Sequence, residues 1–300
     1  MSAVLNTNVA SLWASKNLLG AQSKLAGSVE RLSSGLRINR ARDDAAGLGV
    51  ANSLTAQING ANQGVRNLND AISMVQTAEG AIAAASEMGQ RILMLATQGA
   101  NGTLGSDEKA AIQSEMQQLI KSIDAIGGRT EFSGNPLLSF DTSASEDAAL
   151  YTMQISNSAD DKVELSSEAF KSVGSLDEVG GSGEGQATAL LDAIDAIDPD
   201  ASAADTTAAF QLVQTEAQAY VVALGTQRSL LGAYQNQMEY TLSNITELSS
   251  NLQSARSRVI DTDYASETAS LTKGQILQQA ATAMLAQANQ MPNVILTLLK

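Results

Sequence analysis

The residues best suited to chemistry lie between Arg31 and Asp44, where a cluster of charges separates two apolar patterns. The cluster consists of Arg31, Arg37, Arg40, Arg42, Asp43 and Asp44. Guanidinium groups bind phosphates, and paired carboxylates can transfer protons. A phosphate cradle would also need a glycine-rich loop between a strand and a helix, which Gly35 and Gly47 do not provide. We therefore interpret the cluster as a structural joint between two helical segments.

Two other motifs have a chemical and a structural reading. Residues 198–202 resemble the start of a calcium loop, but the sixth position is Ala203 and the twelfth is Ala209, where glycine and glutamate are required. A solvated turn fits better. Residues 101–103 and 244–246 match the short glycosylation sequon, and the second match falls within a helical pattern.

The amino-acid composition excludes several classes of enzyme and metal site. The 300 residues contain neither cysteine nor histidine, which removes Cys/His zinc sites and the nucleophilic dyads and triads that depend on histidine. Neither a conventional secretory signal nor an 18-residue apolar run is visible. The sequence therefore predicts a protein that is not an enzyme, has no cofactor and does not span or bind a membrane.

The net charge of −14 is unevenly distributed. Residues 1–130 carry 11 basic and 10 acidic side chains, residues 131–210 carry 2 and 16, and residues 211–300 carry 5 and 6. Nearly neutral ends can approach copies of themselves, whereas an acidic middle repels copies and stays hydrated. There is no basic face for nucleic acid.

The elements around the cluster follow from heptad spacing. Before it, a short seam is formed by Leu18, Leu25 and Leu32, with Val29 and Leu36 in the offset position. After it, Ala61, Leu68, Val75 and Ile82 predict a helix over about 58–100, and a second helix is predicted over 106–127, ended by Gly127-Gly128.

The rest of the chain predicts one β region and further long helices. Alternating residues predict a β-hairpin within about 131–166, followed by an acidic linker and a short helix. Eight residues from Phe210 to Val259 then keep an unbroken seven-residue spacing. A last seam contains Leu277, Met284, Met291 and Leu298, with Ile295 beside it. We expect a mainly α protein: a long antiparallel helical bundle or coiled coil with one small β-hairpin region, whose terminal helices pair in a polymer.

Several segments resemble bacterial flagellin in order and spacing. On the N-terminal side they are LNTNVASLWASKNL, RLSSGLRIN, RDDAAGLGVANSL, NDAISMVQTAEGAI and EFSGNPLL. On the C-terminal side they include NLQSARSRVIDTDYASETASLTKGQILQQAATAMLAQANQMP. The chain is similar to a short flagellin with two core domains and a minimal variable insert.

The resemblance implies a subunit that self-assembles into the extracellular flagellar filament for motility. Its implied domains are an inner-tube domain from 1–40 and 261–300 with a joint at 31–57, an outer core domain from 41–175 and 206–260, and a variable acidic linker and short helix at 176–205. Assembly contacts would come from the six joint charges and from the residues of the two terminal seams.

The implied partners are other copies, an export chaperone and the type III export apparatus, and the filament cap and hook-junction proteins. A host flagellin-sensing receptor would bind a segment containing Gln90, Arg91, Leu95 and Gln98, although Leu93 and Met94 stand where the family usually has Arg and Glu. Two alternatives stay open: a hook-filament junction protein, and a flagellin-like shell with a cryptic enzymatic insert.

Overall fold

A computed structural model describes residues 7–138, 149–174 and 187–298. The helices are α1 (Val9–Ser34), α2 (Ala45–Gly99), α3 (Ser106–Arg129), α4 (Thr188–Asp195), α5 (Ala203–Ile260) and α6 (Tyr264–Leu298). The strands are β1 (Glu131–Phe132), β2 (Asn135–Pro136), β3 (Ala149–Gln154) and β4 (Lys162–Ser166), and a 3₁₀ turn covers Ser167–Phe170. The expectation of a mainly α fold is confirmed.

The described chain divides into two compact units. Unit 1 comprises Met1–Ile58 and Ser250–Lys300, and unit 2 comprises Asn59–Ser249. Helices α2 and α5 contribute residues to both units. Unit 1 is thus built from the two ends of the sequence.

Unit 2 is organised by the antiparallel part of α2 and α5. Ser249 donates a hydrogen bond to Asn62, and Gly99 lies directly against the ring of Phe210, so the start of one helix meets the end of the other. The predicted seams are buried along both helices, from Ala61 to Ile82 and from Phe210 to Ile245. Large apolar side chains at heptad spacing are removed from water on one face, which stabilises helices that would be marginal alone.

The β region differs from the predicted single hairpin. β1 pairs with β2, and β3 pairs with β4, in two separate antiparallel pairs. The first is a tight turn in which Ser133 and Gly134 both have positive φ angles, so it closes on itself after only two residues. The second packs on α2, where Asn67 donates a hydrogen bond to the carbonyl oxygen of Gln154.

Two predicted helix limits were wrong. Helix α2 begins at Ala45, 13 residues before the predicted start, because Asp44 caps it: the Oδ1 atom of Asp44 accepts a hydrogen bond from the Gly47 amide at 2.8 Å. Helix α3 continues through Gly127-Gly128 to Arg129. Gly127 is buried there because it lies close to the Val173 side chain.

The last predicted seam lies within one helix. Helix α6 continues through Pro292 to Leu298 without a break. Residues 176–186 of the predicted acidic linker lie outside the described residues, and its short helix is α4, at 188–195.

Candidate assembly surface

Helices α1 and α6 form an antiparallel pair within unit 1. At one end, the Nδ2 atom of Asn8 donates a hydrogen bond to the carbonyl oxygen of Ala288 at 2.7 Å, while its Oδ1 atom caps α1 by accepting from the Ser11 amide. At the other end, Arg31 lies 3.6 Å from the carboxylate of Glu267. The terminal helices therefore pair, as the heptads predict, and they already do so in a single chain.

The seam of this pair runs through small residues and not through the predicted leucines. Ala14, Ala21 and Ser28 are the buried residues of α1, spaced by seven. Gly274 and Ala288 are buried on α6 with half-buried Ala281 between them, also spaced by seven. Small side chains let two helix backbones approach closely, so larger neighbours are displaced to the flanks. Leu18, Leu25, Leu32 and Leu36 are accordingly only half-buried.

Large apolar side chains remain exposed on both helices. Those of α1 are Val9, Leu12, Trp13, Leu19 and Val29, and those of α6 are Tyr264, Ile276, Leu277 and Met284. The most exposed are Leu12 at 76%, Met284 at 65%, Leu19 at 64% and Trp13 at 62%. Together with Val50, unit 1 holds ten of the fifteen exposed large hydrophobic residues in the described chain, although it contributes the smaller part of the sequence.

The predicted assembly residues of α6 divide into two groups. Leu277 and Met284 are both exposed, so neither is buried in the α1–α6 seam. Met291, Ile295 and Leu298 lie within α6, but their side chains fall outside the described set. Within the single chain, α6 is held against α1 by its small face, which contains Gly274 and Ala288.

The joint after α1 is held by main-chain pairing. Gly35 ends α1 with a φ of +72°, and its amide bonds to the Arg31 carbonyl oxygen at 2.9 Å. Leu36 then forms an antiparallel bridge with Asp261, and the Thr262 amide bonds to the Gly35 carbonyl oxygen. The connection leaving α1 and the connection entering α6 thus run side by side.

The carboxylates of the joint hold the backbone. The Oδ2 atom of Asp43 accepts hydrogen bonds from the amides of Arg40 at 2.9 Å and Asn39 at 3.2 Å. The hydrogen bond from the Arg40 amide, helped by the bond from Asn39 and by nearby guanidinium charge, lowers the pKa of Asp43. Asp44 is the cap of α2, so the two adjacent acids perform different structural tasks.

The arginines of the joint connect it to α1 and to the end of α5. Arg40 pairs with Glu30 at 2.8 Å, Arg42 lies 3.7 Å from Asp43, and Arg37 donates a hydrogen bond to the Val259 carbonyl oxygen. Each of these arginines is exposed, so solvent screens the charge pairs and they contribute little to stability individually. Their guanidinium groups stay accessible to further partners.

A polar cavity of about 490 Å³ lies between α1, α6 and the joint. Its lining includes Lys24, Arg31, Arg42, Lys273, Asp43 and Glu267. The Oε1 atom of Glu267 is buried and has no hydrogen-bond partner within the described chain. Four cations and two carboxylates around one cavity make a surface that can receive polar groups from another molecule.

The predicted receptor segment lies on α2 in unit 2. Gln90, Arg91 and Gln98 are exposed, and Arg91 donates two hydrogen bonds to one carboxylate oxygen of Glu115, at 2.7 and 3.0 Å. Leu95 is 2% exposed and belongs to the core of unit 2. The side chain of Leu95 therefore cannot contact a partner on this face.

The described residues include neither a carboxylate metal site nor a membrane-spanning helix. Within residues 7–138, 149–174 and 187–298, no three Asp or Glu side chains are grouped so as to hold a metal ion. In the same part of the chain, no helix has the length and hydrophobicity needed to cross a bilayer.

Comparison with known proteins decides the family. Residues 5–144 match the profile of the bacterial flagellin N-terminal helical region, and residues 215–299 match that of the C-terminal helical region. A flagellin from Halalkalibacterium halodurans is 37% identical, covering 99% of this chain and 100% of the relative. The chain belongs to the bacterial flagellin family.

A filament protein from another organism agrees with this assignment. The flagellar filament 33 kDa core protein of Treponema phagedenis is 35% identical to this flagellin, covering 99% of the chain and 100% of the relative. The crystal structure of Bacillus cereus flagellin aligns with 64% of the chain and 94% of its own length, at 25% identity and a TM-score of 0.44.

This flagellin is a structural subunit of the extracellular flagellar filament, and it polymerises with itself for motility. The alternative of a hook-filament junction protein is not favoured, because the relatives described above are flagellins or filament core proteins along their whole length. Sequence reasoning missed the small-residue seam and the three capping side chains Asn8, Asp44 and Asp263.

Proposed function

We propose that the α1–α6 pair is the main surface through which copies of this flagellin polymerise, and that its occupant is the corresponding pair of a second copy. The concentration of exposed apolar side chains on unit 1 carries this proposal. Apolar surface of this kind, left in water in a monomer, favours burial against another protein. The surface recurs in every copy, so contacts between different faces of the pair give an open helical filament.

The distribution of charge between the two units also supports assembly through unit 1. Residues 1–58 and 250–300 carry ten basic and six acidic side chains, whereas residues 59–249 carry eight and 26. The acidic excess of unit 2 repels other copies and favours water. We infer that residues 1–40 and 261–300 form the inner tube, with a joint at 31–57, and that 41–175 and 206–260 form the outer core, with 176–205 as a variable acidic segment.

The exposed joint arginines supply polar contacts at the same surface. Arg31 and Arg42 line the polar cavity, Arg37 donates a hydrogen bond to the Val259 carbonyl oxygen, and Arg40 pairs with Glu30 on α1. Arginine forms directional hydrogen bonds with carboxylates and main-chain carbonyls. The leucines and methionine of the two seams would provide burial, and the arginines would select the register between copies.

A seeded polymerisation experiment tests the proposal. Filament fragments are added to purified subunit, and growth is followed by light scattering and electron microscopy. Replacing Leu12 and Trp13 together by Gln should raise the critical concentration on the order of a hundredfold or more, because each buried apolar side chain contributes about 1.5–3 kcal/mol. Val222→Gln in unit 2, where Val222 is similarly exposed, is the matched control and should polymerise normally. Normal growth of the double variant with an unchanged helical spectrum would refute the assignment of this surface.

We also infer that the role is purely structural, without a catalytic step or cofactor. The absence of histidine and cysteine from the sequence supports this inference. Assaying purified filaments with casein and with p-nitrophenyl acetate tests it, and sustained turnover that copurifies with the filament would contradict it.

Further partners are proposed on the basis of the family. They are an export chaperone and the type III export apparatus, together with the filament cap and hook-junction proteins. A host flagellin-sensing receptor would meet the exposed face of α2 that contains Gln90, Arg91 and Gln98. Because Leu93 and Met94 replace the usual Arg and Glu there, we expect weak activation of receptor reporter cells by purified monomer, and restoration by Leu93→Arg with Met94→Glu. Equal potency of the two forms would show that these positions do not matter.

A further inference from the structure

We propose that Asn101 is a site of spontaneous deamidation, in which the peptide nitrogen of Gly102 attacks the asparagine side chain. The sequence contains two Asn-Gly pairs, Asn59-Gly60 and Asn101-Gly102. The dipeptide is chemically identical at the two positions, but the fold places it in different backbone environments. The inference is independent of how the subunit polymerises.

Asn101-Gly102 lies in the exposed turn between α2 and α3. Asn101, Gly102 and Thr103 are all exposed. The Oδ1 atom of Asn101 accepts a hydrogen bond from the Thr103 amide at 3.2 Å, and its main-chain carbonyl oxygen accepts one from the Leu104 amide at 3.3 Å. These bonds draw electron density from both carbonyl groups and fold the side chain over the following peptide.

Gly102 is free to act as the nucleophile. Its amide donates no hydrogen bond within the described part of the chain, and a β-carbon built on Gly102 would meet no atom within 4 Å. Without a side chain, its peptide nitrogen is accessible to the neighbouring Cγ atom and to solvent base. Turns of this kind also open at little free-energy cost, so the backbone can reach the geometry for ring closure.

Asn59-Gly60 is the same dipeptide held in a helix and not in a turn. The pair lies inside the 55-residue helix α2, where the Gly60 amide belongs to the i→i−4 ladder and bonds to the Ala56 carbonyl oxygen. Gly60 also packs against Asn157, since a β-carbon on Gly60 would lie 2.1 Å from the Oδ1 atom of Asn157. The side chain of Asn59 is exposed, so solvent access alone does not distinguish the two sites. The difference lies in the backbone.

The reaction needs only water and hydroxide. Hydroxide removes the proton of the Gly102 amide, the nitrogen forms a bond to Cγ of Asn101, and the bond from Cγ to Nδ2 breaks with release of ammonia. Water then opens the five-membered imide at one of its two carbonyl carbons. Opening at the main-chain carbonyl gives isoaspartate, in which the main chain runs through the β-carbon, and opening at Cγ gives aspartate.

Each product changes the turn in a different way. Aspartate keeps the Oδ1 acceptor for the Thr103 amide but adds a negative charge just beyond the C-terminus of α2, where the helix dipole disfavours it. Isoaspartate lengthens the main chain by one methylene and displaces the carbonyl oxygen that binds the Leu104 amide. Subunits of an extracellular filament would therefore gain negative charge at this turn with age.

The test is incubation of the full chain at mildly alkaline pH and growth temperature, followed by peptide mass analysis. The two sites fall in different tryptic peptides, because Arg66 and Arg91 lie between them. We expect the mass change from NH₂ to OH at Asn101 on the order of a hundredfold faster than at Asn59, a ratio that corresponds to about 3 kcal/mol of local opening. Methylation by a protein isoaspartyl methyltransferase identifies the isoaspartate product.

Two controls test whether the backbone conformation sets the deamidation rate. Incubation in concentrated urea should make the two asparagines react at similar rates, because the helix around Asn59 is lost. Gly102→Ala should keep the helical spectrum and slow the reaction at Asn101 severalfold, since the added methyl group has space in the fold but shields the nitrogen. Equal rates at Asn59 and Asn101 in the folded chain, or an Asn101 that reacts only in urea, would overturn the proposal.

Discussion

The carbonyl oxygen of Ile155 occupies the space in which any residue other than glycine at position 64 would place its β-carbon. A β-carbon built on Gly64 would lie 1.8 Å from that oxygen and 2.6 Å from its carbonyl carbon. The turn joining β3 to β4 therefore rests directly on the backbone of α2. Both groups are main-chain atoms, so side-chain rotation cannot relieve the overlap.

Gly64→Ala should accordingly destabilise unit 2, although alanine is the better helix former. The variant must move the β3–β4 pair away from α2, and we expect a loss of about 2 kcal/mol or more, in the range of overpacked cores. Gly80→Ala is the matched control in the same helix, because its β-carbon would meet no atom within 4 Å. That control should gain up to about 1 kcal/mol from helix propensity. Urea unfolding followed by circular dichroism measures both, and equal stability of the two variants would contradict the contact.

Asp43 and Asp44 should tolerate loss of charge better than loss of their acceptor oxygens. Asp43→Asn with Asp44→Asn keeps side-chain oxygens for the amides of Arg40 and Gly47, and asparagine caps helices as well as aspartate does. Asp43→Arg with Asp44→Arg removes both acceptors, so the joint should lose its local order while unit 2 stays folded.

Seeded filament growth and hydrogen exchange at residues 39–48 distinguish these variants. We expect the Asn pair to retain protection and to polymerise, and the Arg pair to remain soluble and helical but to elongate poorly. Losing one cap alone costs about 1 kcal/mol. Normal elongation of the Arg pair would identify residues 31–54 as a passive linker.

Tyr220 should make the protein sensitive to alkaline pH. Its hydroxyl donates a hydrogen bond to the Val173 carbonyl oxygen at 2.8 Å, and burial, with a smaller effect from the Asp124 carboxylate, raises its pKa far above that of an exposed tyrosine. Above pH about 10 an unfolded chain loses this proton while the folded chain keeps it, so the unfolded state binds fewer protons. The stabilisation is therefore complete below that pH and declines as the pH rises further.

Tyr220→Phe tests this sign. The variant loses a hydrogen bond, about 1 kcal/mol near neutral pH, and its stability should fall less steeply above pH about 10. Tyr151→Phe is the comparison, because burial also raises the pKa of Tyr151, which is only half-buried. Parallel alkaline profiles for wild type and Tyr220→Phe would exclude Tyr220 as the source.

The sequence predicted correctly those parts of the fold in which the buried side chains are also large. Leu68, Val75 and Ile82 are long apolar residues at heptad spacing, and all three are fully buried. Residues such as Ala14, Ala21 and Ser28 have the same spacing, but small and partly polar side chains give a weak hydrophobic signal. The leucines beside them were predicted to form the seam, but in the structure they flank it.

The joint shows a second limit. Residues 45–57 were assigned to the joint, whereas Asp44 followed by two alanines is a capping pattern from which the helix start could have been predicted. The contacts of Gly64 with Ile155 and of Gly127 with Val173 join segments far apart in sequence. No local sequence pattern predicts such contacts, because they depend on which distant segment packs against the glycine.

The hydrogen bond between Asn8 and Ala288 closes a loop of 280 residues. A loop of this length forms late, because its ends must find each other at an entropic cost that intervening structure reduces. Unit 1 therefore cannot be completed until the last helix of the chain is present. A subunit truncated at either end keeps an unpaired helix, and it would therefore present an incomplete version of the proposed assembly surface to other copies.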